Sequence, residues 1–185
     1  MSQNAFRNIK VVGVEDGSFQ KGITEKALLI AILFSELKIE SVKACKITVD
    51  GMDATEKLVA LLEEWDFDAL LLCGVSFAGF NVIDTEIVSE RFSVPVIIIC
   101  RTKPDNQSVK RALQRHFEDW KARWAVFEKL GGAHEITTLI GKPPIYVETV
   151  RADVKWAFKL LKALAVCSRM PEPIRVARLI ARGLS

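Results

Sequence analysis

Two runs of this chain are apolar at almost every position: DALLLCGV over residues 68–75 and PVIIIC over residues 95–100. A half-exposed strand alternates apolar and polar side chains, because successive Cβ atoms point to opposite faces of a sheet. A continuous apolar run bounded by glycine or proline instead reads as a strand covered on both faces. Such a strand needs a layer of packing on each side, so the chain should build a sheet with helices against it.

The remaining segments agree with that frame. IKVVGVED near the start, KALLIAILFSE over 26–36 and KACKITVD over 43–50 follow one another at short spacing, as an antiparallel meander would. The second of these also suits a helix. ATEKLVALLEEW then changes period: Leu58, Leu61, Leu62 and Trp65 share one helical face. NVIDTEIVSERF reads as a short helix, and NQSVKRALQRHFEDWKARWAVFEKL as a long one that stops at Gly131-Gly132. ITTLI and PPIYVETV suggest further strands. DVKWAFKLLKALAVC and PEPIRVARLIARGL are amphipathic helices, the last with proline in its first turn. The order is β-β-β-α-β-α-β-α followed by mixed structure, the order of an α/β, ribonuclease H-like mixed sheet flanked by helices. With no linker or internal repeat in view, residues 1–185 read as a single domain.

Composition narrows the class. Half the residues are hydrophobic, and no apolar run approaches the ~20 residues of a membrane span. MSQNAFRNIK lacks the apolar core of a leader peptide, so the chain reads as soluble and cytoplasmic. Cys45, Cys73, Cys100 and Cys167 form no CxxC pair, and read as small buried hydrophobes. Neither a GxGxxG turn nor a P-loop follows the first strand. Residues 1–100 carry 9 Lys/Arg against 15 Asp/Glu, and residues 101–185 carry 17 against 8. A basic pole of that kind attracts a polyanion, and it is also what an ordinary solvated face looks like.

Acids cluster at the ends of the expected elements. VVGVEDGSF places Glu15 and Asp16 together where a buried strand runs out. VDGMDAT places Asp50 and Asp53 between a strand and a helix, and GFNVID places Asp84 soon after the central strand. Hard oxygen ligands suit Mg²⁺ or Mn²⁺, which can activate a water and neutralise charge on a phosphodiester. Ligands of one such ion should lie within ~5 Å of each other, since metal–oxygen bonds are about 2.1 Å. Local alternatives stay open: Asp50-Gly51 as turn chemistry, and Asp53 as a helix cap with Glu56 as its capping-box partner.

VGVEDGSF, ITVDGMDAT, CGVSFAGFNVID, PVIIICRTKPD and MPEPIRVARLIARG occur in the order and spacing of a family. Over nearly its whole length the chain resembles the archaeal proteins related to endonuclease V that are labelled endonuclease dU. The resemblance implies a ribonuclease H-like fold and metal-dependent cleavage of DNA near a deaminated base of the deoxyuridine type. It also implies Mg²⁺ or Mn²⁺ as cofactor and damaged or single-stranded DNA as partner. Glu15 stands where endonuclease V proteins carry a metal-binding Asp, and Cys73-Gly74 where they carry D-G. Metal ligands are then expected among Glu15, Asp16, Asp50 and Asp84, with Lys103 facing the phosphate. Phe77 and Phe80 of the FAGF segment are candidates to stack on an extruded base, and equally candidates for core. Asn81, Arg101 and Arg175 complete the expected nucleic-acid contacts. MPEPIR replaces the SPGH of endonuclease V, so Glu172 and Arg175 stand as substitutes there.

Lys155, Lys159 and Lys162 form one basic stripe, opposite Trp156, Leu160 and Leu164. Arg175, Arg178 and Arg182 form a second, opposite Val176, Leu179 and Ile180. Either can meet phosphate, and either suits a solvated helix. Cys73 at an expected acid position keeps a second function in view, a nucleic-acid-binding protein without catalysis. A small-molecule hydrolase or partner-binding domain is a third.

Overall fold

The computed structural model describes residue 6 and residues 8–185. Residues 1–5 and 7, on which the leader expectation partly rests, lie outside the described residues. The chain begins with the expected meander: β1 (Lys10–Asp16), β2 (Lys26–Ser35) and β3 (Lys38–Thr48). The ambiguous run over 26–36 is therefore strand. Its tight connection to β3 uses Glu36 and Leu37, both at positive φ, in place of the Asn-Gly pair such turns favour.

Next come α1 (Ala54–Leu62), β4 (Ala69–Leu72), a small hairpin of β5 (Ser76–Phe77) and β6 (Asn81–Val82), α2 (Thr85–Phe92) and β7 (Val96–Cys100). The chain ends with α3 (Asn106–His116), α4 (Trp120–Glu128), β8 (His134–Ile136), β9 (Ile145–Val150), α5 (Val154–Leu164) and α6 (Glu172–Gly183). The seven-stranded sheet has the order β3-β2-β1-β4-β7-β9-β8. β1, β4 and β7 are parallel, and the other neighbours pair antiparallel.

The continuous apolar runs are explained by the two faces. Leu70, Leu72, Val96 and Ile98 turn toward α1, α2 and Phe127, whereas Leu71, Ile97 and Ile99 turn toward α5. Leu58, Leu62 and Val88 close the first layer, and Leu160, Leu161 and Leu164 the second. Each fully buried Leu or Ile removes its side chain from water, a transfer favourable by about 1.5–3 kcal/mol.

Three sequence expectations change. The long helix over 106–130 breaks at Phe117, whose extended backbone separates α3 from α4. In place of a strand over ITTLI, residues 136–140, the strand is His134–Ile136 and shares only Ile136 with that segment. The buried face of α6 includes Ala177 and Ala181, packed with Ile30, Ile32 and Phe34, and Ile174, which joins the layer of Val11, Leu71 and α5, while Leu179 is exposed. Small alanines let α6 lie close to the sheet. At Gly13 the approach is closest, because a Cβ there would strike Pro173 of α6.

Among the described residues no helix is long and apolar enough to cross a membrane.

Candidate active site

β1 leaves the centre of the sheet for β2 on one side, and β4 pairs it on the other. Ligand sites in α/β sheets form outside the carboxyl ends of parallel strands at such a divide. Here those ends carry Glu15 and Asp16 on β1, Cys73-Gly74 after β4, and Cys100-Arg101 at the end of β7. They open on a cleft of about 550 Å³, closed on its other wall by Arg178 and Arg182 of α6. Two carboxylates, two thiols and three guanidinium groups thus share one cavity.

Glu15 is buried, and burial raises its carboxyl pKa; the Cys73 thiol and the Arg101 and Arg178 charges offset this in part, while Asp16 adds to it. The Glu15 Oε1 lies 3.6 Å from Arg101 Nη2, too far for a hydrogen bond. Glu15 Oε1 and Arg101 Nε are buried without any hydrogen-bond partner. The two side chains form an ion pair yet leave these atoms without a hydrogen bond, which buried polar atoms seldom do.

Asp16 turns to the other face of β1. Burial raises its pKa, and a 2.6 Å hydrogen bond from the Ala78 backbone N–H pulls it back in part. Cys73 is pushed up by burial and by the Glu15 charge beside it, and Cys100 up to about 11, first by burial and then by Glu148. Both remain neutral thiols. Arg178 is lowered by burial and by repulsion from Arg101 and Arg182, the signature of cations gathered without enough anions.

The other expected ligands stand elsewhere. Among the described residues no group of three or more His, Cys, Asp or Glu side chains is placed to hold a metal ion. Asp84 is the N-cap of α2: its carboxylate accepts from the N–H groups of Glu86 and Ile87 and pairs with Lys129 Nζ at 2.7 Å. A helix start leaves unpaired N–H groups, and a short acid satisfies them locally. Asp50, at φ 55°, accepts the Phe80 N–H at 2.9 Å and does not line the cleft. Asp53 occupies the N-cap position of α1 but makes no cap hydrogen bond. Its carboxylate reaches back to Thr48 and Asn81; burial opposes its ionisation, yet those hydrogen bonds outweigh it and lower the pKa.

The expected nucleic-acid contacts divide in the same way. Phe77 is core, at 1% exposure. Phe80 packs edge-on against Phe117 at 5.5 Å. Asn81 is fully buried, where its amide ties Thr48 and Asp53 to the start of α1. Arg175 is held by Glu172 of its own helix, with Nη2–Oε2 at 2.6 Å, and does not line the cleft. Lys103 lies over a neighbouring cavity. Arg101 alone of that group faces Glu15.

Two features escaped the sequence reading. Arg178 and Arg182 were visible only as parts of a stripe. Arg123 of α4, 5% exposed, was not singled out. Its guanidinium donates to the carbonyls of Gly51 and Phe80 and to Asp119, binding the β3–α1 turn to the β5–β6 hairpin. A lone arginine inside WKARWAVF carries no local signal of that role.

The sheet order and its flanking helices give a ribonuclease H-like fold, one shared with solved endonuclease V and Argonaute structures. The comparison with known sequences is more specific: the family described as endonuclease dU matches residues 7–185, and the chain belongs to it. A UPF0215 protein of Methanothermobacter thermautotrophicus is 33% identical over 194 residues, covering 100% of this chain and 94% of that protein. A protein of unknown function from Archaeoglobus fulgidus superposes with a TM-score of 0.84 at 28% identity, over 96% of this chain and 98% of that one. Endonuclease V of Ciona intestinalis, solved with a 24mer DNA containing an inosine followed by a ribo-adenosine, superposes with a TM-score of 0.61. It is 14% identical, over 98% of this chain and 92% of that one, and shares the fold.

Proposed function

We propose that this protein is a divalent-metal-dependent endonuclease that hydrolyses DNA beside a deaminated base of the deoxyuridine type. In this reading residues 1–185 act as one domain in the cytoplasm, on damaged or single-stranded DNA. The observation that carries it is the pair of Glu15 and Arg101, side by side at 3.6 Å with Oε1 and Nε lacking hydrogen bonds, in a cleft rimmed by arginines. There Glu15 would hold a divalent cation and Arg101 would take the phosphate bound to it.

The donor set fits Mg²⁺ or Mn²⁺ of the kind held by one or two carboxylates, waters and substrate phosphate rather than by a protein cage. Glu15 would hold it, with Asp16 through the oxygen not engaged by Ala78. The ion supplies an activated water and charge neutralisation when bound. Arg101, Arg178 and Arg182 orient the scissile phosphate, by planar paired hydrogen bonds that lysine cannot reproduce. The Cys73 thiol, held neutral, is a poor ligand for a hard ion.

Cleavage of strands containing deoxyuridine, deoxyinosine or an abasic site, with Mg²⁺ or Mn²⁺, tests the reading. Wild type should cut at least one of them, and folded Glu15→Gln none. No cutting by the folded wild-type protein overturns it. Cys73 at the end of β4 favours a second reading, binding without cleavage. That reading stands if DNA binding is salt-sensitive and Mg²⁺ leaves the melting temperature unchanged.

A further inference from the structure

The sheet ends on β3, an edge of 11 residues, and among the described residues no strand lies beyond it. The Val49 N–H donates to the Glu25 carbonyl, continuing the β2–β3 pairing, whereas the Thr48 N–H turns away to the Asp53 carboxylate. In an antiparallel pair such inward bonds recur at every second residue. The register is unbroken from Thr48 to Ser41, so the N–H and C=O groups of Val42, Ala44 and Lys46 point to the open edge. Val42 and Ala44 stand opposite Ile32 and Ile30, which α6 covers with Ala177 and Ala181. They lie beyond that cover and are exposed, Val42 at 43%. Unpaired backbone beside exposed apolar side chains is a template for another strand, which proteins commonly guard with lysine. Here Lys43 is engaged on the opposite face, paired with Glu64 at 3.2 Å and 5.1 Å from the centre of the Trp65 ring.

We propose that β3 pairs antiparallel with β3 of a second copy of this chain, about a two-fold axis at Lys43, so that the two sheets become one. A two-fold axis perpendicular to the sheet keeps each face on its own side, and the contact is self-complementary. Val42 then stands opposite Ala44 of the second copy, and Ala44 opposite its Val42, with about four backbone hydrogen bonds between them. The same register sets Glu40 opposite Lys46 of the second copy and Lys46 opposite its Glu40. Both residues are exposed, so each copy presents the charges that the other lacks. This reciprocity selects a second copy over an unrelated strand. Slipping the register one way sets Lys38 against Lys46, and slipping it the other way sets Val42 against Lys46. The two Lys43 side chains come together at the axis already neutralised by Glu64. β2 separates β3 from β1, so the pairing leaves each cleft open.

Sedimentation equilibrium of the full chain across the micromolar range, without DNA or metal, tests this. Wild type should dimerise as concentration rises. Lys46→Glu and Glu40→Lys should each weaken the dimer about tenfold or more, because both opposed pairs become like-charged. Glu40→Lys combined with Lys46→Glu should restore it. Amide exchange supplies a reading that needs no variant. As concentration rises, the amides of Val42 and Ala44 should slow more than those of Lys43 and Cys45, which already bond to β2. A monomer at every concentration, or folded single variants that dimerise as well as wild type, overturns the proposal and leaves the edge to a strand of a different chain. Should a variant fail to fold, exchange in wild type decides: protection of Val42 and Ala44 that is independent of concentration overturns it.

Discussion

The Asp16 carboxylate accepts the backbone N–H of Ala78 at 2.6 Å, so an acid at the end of β1 holds the turn between β5 and β6. The same turn is gripped from the β3–α1 turn by Asp50, whose N–H donates to the Ala78 carbonyl at 2.8 Å and whose carboxylate accepts from the Phe80 N–H. Ala78 and Asp50 both sit at positive φ, a conformation costing a non-glycine residue roughly 1–2 kcal/mol. Gly79 has no alternative, because a Cβ there would strike the Asp50 carboxylate. Strain held this firmly is typical of functional sites.

Asp16 therefore has two separable roles. Asp16→Ala should lose about 1–3 kcal/mol of stability by orphaning the Ala78 N–H. Asp16→Asn, which still accepts that bond, should keep most of the stability and lose the rise in melting temperature on adding Mn²⁺. Urea unfolding and thermal melts with and without metal check the pair.

Glu15 should oppose folding at neutral pH. Its folded pKa is raised, so its contribution to stability is fully present below the unfolded value of about 4.3 and is lost as pH rises through the folded one. Glu15→Gln should accordingly stabilise the metal-free protein by about 1 kcal/mol at neutral pH and change little below the unfolded value. Urea titrations at the two pH values measure the difference.

Asp84 should prove dispensable for metal binding. Asp84→Ala removes the α2 cap and the Lys129 pair, with a loss of about 1 kcal/mol. The metal-induced shift in melting temperature should equal that of wild type.

DNA binding should separate the arginines of α6. Arg178→Ala and Arg182→Ala should each lower the slope of log affinity against log salt by about 1. Arg175→Ala should lower it less, because Glu172 already engages that guanidinium. Anisotropy titrations over a range of salt report the slopes.

Arg123→Met should cost about 2 kcal/mol by leaving the Gly51 and Phe80 carbonyls unpaired, and should loosen the hairpin. Amide exchange at Ala78 and Phe80, faster than in wild type, locates the effect.

The amino-acid sequence alone determined the layers of this protein. The unbroken apolar runs of β4 and β7 demanded cover on both faces, and the helical spacing of Leu58, Leu61 and Leu62 marked a covering element. These are local signals, because strand and helix periods are written in neighbouring residues. The placing of Glu15 and Asp16 at a strand end was equally legible. What each acid does there was decided by tertiary structure. Asp50 and Asp84 resemble Glu15 in type and in position relative to their elements, yet one meets the Phe80 N–H and the other the α2 start and Lys129. A side chain's chemistry depends on the burial and the partners that distant segments bring to it, and those are properties of the folded chain.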